Sequence, residues 1–293
     1  FTMDAALAEA RRMLADASME GGFAVCGVSG GVDSAVAAVL AHQAFGERMT
    51  AIYVETGLMR EGESAAVQET FERLGIPLRV ADRAESVLAG LRGKQTMREK
   101  REVVVACLHE EMIRQTEAIP GAKTLVMGTN YSDFLGGANN AVWQDCGMAV
   151  LEPLALLFRE EVRAIAETLG MDSSIVQRKP FPLMGLGARI IGEVTPEKLA
   201  ALRKADAIFS GEIREAGLNK KLYKYFPIMV DAQKETSTII LRAVTISGAM
   251  LVPARLPYDL VERTVERILE TTPTVRRVFY DQTPTPIGKE TFQ

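Results

Sequence analysis

The sequence predicts an α/β protein in which a doubly wound parallel sheet is followed by a second, smaller α+β domain. In the first part of the chain, short apolar runs alternate with helix-length segments, the order expected of a parallel sheet covered by helices. This pattern stops at residues 179–187, a stretch rich in proline and glycine. After it, the predicted order is β-α-β-β-α-β. We therefore divide the chain into domains 1–180 and 181–293.

The elements of the first domain are predicted from apolar runs of strand length and from the longer segments between them. The predicted strands are Phe23 to Val28, Met49 to Val54, Leu78 to Ala81 and Thr124 to Met127. Helices are predicted at Ser34 to Phe45 and at Ser64 to Leu74. Because each helix separates two strands, neighbouring strands are expected to run parallel.

The second domain is predicted from the same signals. Its elements are a strand at Arg189 to Ile191, a helix from Thr195 to about Ala216, strands at Tyr225 to Val230 and Ser237 to Ile246, a helix from Pro257, and a strand at Val275 to Tyr280. The strand that begins at Ser237 is long and largely apolar, and a domain of about 110 residues has little surface with which to cover it. We therefore expect a homodimer that is built by this domain.

Composition excludes several classes of protein. Of the 293 residues, 47% are hydrophobic and 25% charged, which is typical of a globular chain rather than a disordered one. The formal net charge of -4 gives no general attraction to nucleic acid or to an anionic membrane. No apolar run reaches the roughly 18 to 20 residues of a membrane-spanning helix. We expect a cytoplasmic protein with neither nucleic acid nor membrane as a partner.

The most informative segment is Ser29-Gly30-Gly31-Val32-Asp33-Ser34, which joins an apolar strand to an alanine-rich helix. The two glycines allow the backbone to approach an anion, the serines supply hydroxyls, and the free amides of a helix N-terminus favour phosphate. The lysine of the GxxxxGK[ST] phosphate loop is missing, so this is a different loop. The alternative is an ordinary glycine-rich turn, which the serines, the aspartate and the strand-to-helix context make less favourable.

These six residues resemble the SGGxDS signature of the PP-loop ATP pyrophosphatases, which cleave ATP between its α and β phosphates. Further stretches resemble the ATP-pyrophosphatase and dimerisation portions of GMP synthases. They are Tyr53 to Arg60, Glu99-Lys100-Arg101, Gly128-Thr129 with Asp133, Glu152-Pro153-Leu154, Arg159 to Arg163, Ile191 to Thr195, Leu256 to Asp259 and Val278 to Asp281. The resemblance covers nearly the whole chain and implies an adenine nucleotide alpha hydrolase-like fold for the first domain.

The resemblance implies an activity and a set of site residues. In the family, ATP adenylates the C2 carbonyl oxygen of XMP, and ammonia then displaces AMP to give GMP. The implied ATP-binding residues are Val28, Ser29, Gly30, Gly31, Asp33, Ser34, Val54, Gly128, Thr129 and Asp133, and the implied catalytic residues are Asp33 and Lys100. Asp33 is also the candidate magnesium ligand, and Lys100 the cation that neutralises phosphate. For Lys100, a solvated helix face shared with its two charged neighbours is the alternative.

Glutamine hydrolysis requires a nucleophile, such as a cysteine with a histidine base, usually on a separate domain. Cys26 lies in a predicted strand and is expected to be a core residue. The layout resembles that of two-subunit GMP synthases, which implies a separate glutamine amidotransferase subunit or free ammonia.

The chain departs from the family where XMP is expected to bind. Asn139 to Asp145 replace a lid that carries a lysine and two histidines, Leu183 and Met184 replace a glycine-proline pair, and Thr285 replaces a tail lysine. Three hypotheses follow: a GMP synthase subunit with an altered pocket, a relative that activates another acceptor for amination or sulfur transfer, and a non-catalytic nucleotide-binding protein.

Four further residues in the sequence have both a functional and a structural interpretation. For sulfur transfer, Cys107 and Cys146 are the candidate thiols. Trp143 is a candidate for stacking on a base, and His109 lies on a predicted helix. A structural role is favoured for the two cysteines and for Trp143, and a solvated or helix-capping role for His109, because a single aromatic, thiol or imidazole is weak evidence for a site.

Overall fold

A computed structural model of the chain describes residues 2–135, 146–179, 181–231 and 236–286. The chain forms two compact units. The first unit comprises Phe1–Glu55, Gly62–Arg83 and Val105–Arg178, and the second comprises Thr56–Glu61, Ala84–Val104 and Lys179–Gln293. Because the second unit includes two earlier segments, the units are not equivalent to the domains 1–180 and 181–293, which stay a prediction.

The first unit contains a five-stranded parallel sheet. Its strands are β1 (Phe23–Val28), β2 (Met49–Glu55), β3 (Leu78–Asp82), β4 (Ala122–Val126) and β5 (Ala149–Leu151), in the order β3-β2-β1-β4-β5. The helices are α1 (Met3–Met19), α2 (Val32–Phe45), α3 (Glu63–Arg73), α6 (Tyr131–Leu135), α7 (Arg159–Thr168) and α8 (Ser173–Val176). Two further helices are α4 (Ala84–Gly90) and α5 (Met97–Glu117). Helix α4 and the first eight residues of α5 belong to the second unit, and the rest of α5 belongs to the first. The predicted α/β class is confirmed.

Two apolar clusters cover the faces of this sheet. Alternate residues of β1 belong to different clusters, because successive side chains of a strand point to opposite faces. Cys26 packs with α1, α2 and α7 residues, whereas Val25 packs with Ile52, Leu125 and Met112 of α5. The sheet is therefore buried on both sides, as its near-continuous apolar strands predict.

The second unit is built on a mixed sheet. Its strands are β6 (Lys224–Asp231), β7 (Ser237–Ser247), β8 (Met250–Pro253), β9 (Val275–Tyr280) and β10 (Thr285–Pro286), and its long helices are α9 (Pro196–Glu215) and α10 (Tyr258–Thr271). The order is β10-β8-β7-β6, and β9 pairs in parallel with the first half of β7. Thr195 caps α9 by accepting a hydrogen bond from the amide of Lys198 at 3.3 Å.

The predicted strand Arg189 to Ile191 is wrong. Residues Gly185–Arg189 form a 3-10 turn, and only an isolated bridge joins Ile190 to Met229. The reason is tertiary, because the buried Arg189 guanidinium pairs with Asp206 of α9 at 2.8 Å. The short strands β8 and β10 were not predicted, since neither has enough residues for an alternating pattern to be recognised.

The segment Thr56–Glu61 belongs to the second unit for an identifiable reason. Arg203 of α9 donates to the carbonyl oxygens of Gly57 at 2.6 Å and Met59 at 2.9 Å. These bonds tie the segment that follows β2 to α9.

Among the helices of the described residues, none is long and apolar enough to cross a membrane.

Candidate active site

The loop between β1 and α2 has a compact, hydroxyl-lined conformation. Ser34 Oγ accepts a hydrogen bond from the Ser29 amide at 3.2 Å and donates to the Gly31 carbonyl at 3.1 Å. The Ser29 and Ser34 hydroxyls lie 3.4 Å apart, and the Gly31 amide faces Ser29 Oγ at 3.4 Å. Gly30 has a φ of +79°, a conformation that residues with a β-carbon rarely adopt. Two hydroxyls and a backbone amide therefore converge on one side of the loop.

The loop ends at the N-terminus of a 14-residue helix that has no side-chain cap. Gly31 is the N-cap residue of α2 and makes no side-chain hydrogen bond to the first helical amides. Uncapped amides carry the positive end of the helix dipole and bind anions. The loop therefore has the donors and the local positive potential that a pyrophosphate group requires.

Gly128 approaches this helix start very closely. A β-carbon at position 128 would lie 2.6 Å from the Cα of Ser34. Gly128 follows β4, which is the neighbour of β1 on the side where the strand order reverses. In parallel sheets, ligands bind at the carboxyl ends of the strands at such a reversal. The predicted residues Ser34 and Gly128 are thus brought together at the expected edge.

Asp33, in the first turn of α2, lies in a cluster of charges. Arg159 of α7 contacts it at 3.6 Å and pairs with Asp133 at 2.9 Å, so that one guanidinium links two predicted site residues. Burial raises the pKa of Asp33 to about 6, an effect that Arg159 opposes and Asp133 reinforces. Asp33 Oδ1 is buried and makes no hydrogen bond of normal geometry within the described residues, although the nearby Asn130 side chain also opposes the rise in the pKa of Asp33.

This carboxylate fits a magnesium ion that is shared with phosphate. Magnesium in nucleotide sites is held by one or two carboxylates together with phosphate oxygens and water. Within the described part of the chain, there is no group of three or more His, Cys, Asp or Glu side chains arranged to hold a metal ion. The unpartnered oxygen of Asp33 beside the phosphate loop matches a shared site rather than an all-protein one.

Three arginines near the loop were not predicted as site residues. Arg159 and Arg163 lie one turn apart on α7, Arg163 donates to the Arg178 carbonyl at 3.2 Å, and Arg178 bonds to Gly30 and Glu63. The Arg159 to Arg163 stretch was part of the family resemblance, so its pair of arginines was the available signal. Arg178 offered none, because its partners are far away in the sequence.

The remaining predicted ATP contacts are buried near the strand ends. Val28 is the last residue of β1, and Val54 is the last but one of β2. The two valines belong to apolar clusters on opposite faces of the sheet. Thr129, next to Gly128, is also buried. Their contact with an adenosine stays a prediction.

Lys100 belongs to the second unit, whereas the phosphate loop belongs to the first. Its side chain is fully buried, and Nζ donates to the Ile190 carbonyl at 2.6 Å. Burial lowers the pKa of Lys100 to about 8, with a further lowering by Lys198. The alternative of a solvated helix face is therefore wrong for this residue.

The structure accounts for the cysteines as packing residues. Cys26 is fully buried, which confirms its core position, and burial raises the pKa of its thiol to about 12. Cys107 is buried on α5, and burial raises the pKa of its thiol too. Cys146 packs against the cluster that contains Val25. His109 is half-buried on α5, and Trp143 lies outside the described residues.

Two of the departures from the family lie in the described residues. Leu183 is exposed, and Thr285 Oγ1 accepts a hydrogen bond from the buried Arg242 at 2.8 Å. Arg242 also pairs with Asp281. The third departure, Asn139 to Asp145, lies outside the described residues.

Comparisons with known proteins agree with this geometry. The sequence profile of the NAD synthase family matches residues 8–186. The chain is 41% identical to a GMP synthase (glutamine-hydrolyzing) of Symbiobacterium thermophilum over 91% of its own length and 56% of that protein. It is 38% identical to one subunit of the GMP synthase (glutamine-hydrolyzing) of Methanocaldococcus jannaschii, over 97% of this chain and 96% of that one.

The chain spans about half the length of several other GMP synthases that it matches. One of these, from Geobacillus kaustophilus, is 37% identical over 89% of this chain and 56% of that protein. Among solved structures, an NMN synthetase from Francisella tularensis superposes with a TM-score of 0.53 at 21% identity, covering 64% of this chain and 79% of that one. An NH3-dependent NAD synthetase from Campylobacter jejuni superposes with a TM-score of 0.51 at 15% identity, covering 75% of this chain and 86% of that one. At these identities the likeness shows a shared fold. Taken with the phosphate loop and the extent of the match to the Methanocaldococcus jannaschii protein, the chain belongs to the PP-loop ATP pyrophosphatases and, within them, to the GMP synthase family.

Proposed function

We propose that this protein is an ATP-dependent ligase that cleaves ATP to AMP and pyrophosphate while it activates a carbonyl oxygen of its acceptor. The observation that carries the proposal is the loop Ser29 to Ser34, in which two hydroxyls and uncapped helix amides converge beside the unpartnered oxygen of Asp33. These donors suit a departing pyrophosphate, because they favour negative charge without having to rearrange.

The leading acceptor is XMP, with GMP as the product. The C2 carbonyl oxygen attacks the α-phosphorus of ATP as the ring N–H beside C2 loses its proton, the bond from the α-phosphorus to the oxygen that bridges to the β-phosphate breaks, and pyrophosphate leaves. Ammonia then attacks the activated carbon, AMP departs with the oxygen, and the nitrogen loses a proton. A magnesium ion, when bound, offsets the phosphate charge during the first step.

The protein's own residues have separate roles in this proposal. Ser29, Ser34 and the α2 amides bind the pyrophosphate, and Asp33 holds the metal. Arg159 keeps Asp33 and Asp133 in place by contacting both carboxylates. Lys100, buried against the Ile190 carbonyl, is assigned to phosphate neutralisation only through the family resemblance.

A different acceptor is the second candidate, and one observation favours it. Thr285 stands where the family has a tail lysine. Its hydroxyl accepts a hydrogen bond from Arg242 of the same unit, so the residue has a structural contact in place of a charge. Loss of a charged contact to a nucleotide phosphate weakens binding by about one to two decades. Lys289, which lies outside the described residues, and Arg255 are cations that can replace it, whereas Arg189, the third candidate from the sequence, is buried and pairs with Asp206 at 2.8 Å.

The proposed partners are a separate glutamine amidotransferase subunit, which would supply ammonia, and a second copy of the chain. The nearly full-length match to one subunit of a GMP synthase supports the separate amidotransferase.

For the homodimer, Ile240 and Phe279 are opposite each other on β7 and β9, and Phe279 is 52% exposed. Residues opposite each other in a sheet share a face, so this apolar face is available to a second copy.

The test is a reaction of the purified chain with ATP, magnesium, ammonium and XMP. We expect AMP and pyrophosphate in equal amounts, together with GMP. Formation of ADP and orthophosphate would contradict the ligase proposal. AMP formation with another carbonyl acceptor but not with XMP would support the second candidate. Calorimetry with XMP in the presence of a non-hydrolysable ATP analogue would measure the affinity for XMP directly.

A further inference from the structure

Arg178 connects the phosphate loop to the start of α3. Its Nη1 donates to the Gly30 carbonyl, and its Nη2 pairs with Glu63 Oε1 at 2.6 Å. Glu63 is the first residue of α3, and its side chain is 8% exposed. The three residues belong to one compact unit, although 148 positions separate Arg178 from Gly30. The contact is therefore a tertiary link to the turn that precedes α2.

This link fixes the orientation of one peptide group. In a trans peptide, the carbonyl of one residue and the amide N–H of the next point in opposite directions. When Arg178 holds the Gly30 carbonyl, the Gly31 amide must point to the other side of the loop. That side is where Ser29 Oγ receives it at 3.4 Å and where the Ser34 hydroxyl also lies. The hold on the carbonyl thus presents the amide to the anion side.

Glycine makes this hold necessary. Gly30 has a φ of +79° and no β-carbon, and a glycine peptide can rotate more freely than any other. If the peptide between Gly30 and Gly31 turned over, a carbonyl oxygen would face the phosphate and repel it. A β-carbon cannot stiffen the turn here, because at Gly30 it would lie 3.1 Å from Arg178 Nη1 and closer still to Val67.

The charge of Arg178 is already compensated. One of its terminal nitrogens contacts a carbonyl and the other a buried carboxylate, so the pair with Glu63 is close to neutral. A guanidinium that binds phosphate bidentately presents a free pair of nitrogens, whereas both terminal nitrogens of Arg178 are engaged by protein groups. Arg178 therefore acts on the loop through geometry, whereas Arg159 and Asp33 lie in the charged cluster on α7 and α2.

We propose that Arg178, oriented by Glu63, is a positioning residue that holds the Gly30–Gly31 peptide with its amide towards the pyrophosphate. The inference rests on the proposed function for the identity of the anion. It assigns roles to two residues that do not touch the reacting atoms themselves.

The experiment is calorimetry of the full chain with pyrophosphate and magnesium chloride as the probe. The variants are Arg178→Met, Arg178→Lys, Glu63→Gln and the double variant of Arg178→Met with Glu63→Gln. Arg73→Met is the matched control, since Arg73 forms an exposed pair with Asp172 at 3.5 Å in the same unit. Thermal unfolding of each variant measures its stability separately.

We expect Arg178→Met to weaken pyrophosphate binding about tenfold or more, the loss that follows from removing a charged hydrogen bond. Glu63→Gln should weaken it less, and the double variant should bind like Arg178→Met, because the two residues act through one contact. Arg178→Lys should be intermediate, since an ammonium group lacks the fork that reaches both partners. Arg73→Met should bind like the wild type.

Salt distinguishes positioning from direct contact. The affinity ratio of wild type to Arg178→Met should stay constant as ionic strength rises, whereas a direct ion pair with pyrophosphate would make it shrink. A shrinking ratio, or a folded Arg178→Met variant that binds within about twofold of the wild type, would overturn the inference. If Arg178→Met does not fold, Arg178→Lys and Glu63→Gln decide by the same criterion.

The outcome is separable from that of the proposed function. If the wild type binds pyrophosphate but forms AMP with no acceptor, the ligase proposal fails while the affinity ratios still decide the role of Arg178. Absence of pyrophosphate binding by the wild type would overturn the inference as well.

Discussion

Gly128 and Ser34 are packed so closely that a β-carbon on Gly128 would lie 2.6 Å from the Ser34 Cα and 2.7 Å from its amide nitrogen. The start of α2 can therefore occupy its position only because residue 128 has no side chain. Backbone atoms cannot yield as the end of a flexible side chain can. The geometry of the phosphate loop thus depends on a glycine that follows another strand, β4.

Gly128→Ala should displace the start of α2 and disturb the loop. We expect the free energy of unfolding to fall by about 1 to 3 kcal/mol, the usual effect of overpacking. ATP binding, measured by calorimetry, should weaken as well. Gly31→Ala is the stability control, because its β-carbon would meet only Ser29 Oγ at 3.5 Å. Equal stabilities of the two variants would contradict the interpretation.

Asp33→Asn should abolish AMP formation and leave the fold intact. The variant preserves the size of the side chain and removes the negative charge that magnesium requires. Since burial raises the pKa of Asp33 to about 6, the protein disfavours the charged carboxylate. The free energy of unfolding at pH 7.5 should therefore be unchanged or higher in the variant, as measured by urea denaturation. A variant that folds and still forms AMP would contradict the assigned role.

Lys100→Met should change how stability depends on pH. The pKa of Lys100 is lowered to about 8 in the folded chain, and in the unfolded chain it has the ordinary value near 10.4. Between these values the unfolded state binds more protons, so this group makes the folded state more stable as the pH rises from about 8 to 10.4.

Urea denaturation of the wild type and of Lys100→Met should show this difference. We expect the wild type to gain on the order of 1 to 3 kcal/mol relative to the variant over that interval, and no such relative change below pH 7. A pH-independent difference between the two proteins would mean that Lys100 titrates normally.

Phe279→Asp should convert a dimer into a monomer if the exposed face of the second sheet forms the proposed interface. A charge placed at a position that is 52% exposed in the single chain costs little there, but it is expensive when buried against a second copy. Light scattering at micromolar concentration measures the mass. Leu269→Asp is the control, because Leu269 is 40% exposed and lies on α10 rather than on the strand that carries Phe279. A monomeric wild type would contradict the proposal.

The predicted elements differ in how well local sequence specified them. The strands β1 and β2 and the helix α9 were predicted nearly to their ends, because apolar runs, the Thr195 cap and the following proline act over a few residues. The strand predicted at Arg189 failed, because a buried pair with Asp206 and ring contacts with Phe181 and Phe226 decide that conformation. Such contacts come from distant segments.

The sequence by itself determined the parallel sheet, the position of the phosphate loop and the family. Each of these follows from residues close together in the chain, where periodicity and turn chemistry act. Only the tertiary structure decided that Arg178 holds the Gly30 carbonyl and that Lys100 is buried against Ile190. The physical reason is that a side-chain contact over such sequence separations depends on how whole elements pack, which local pattern does not encode.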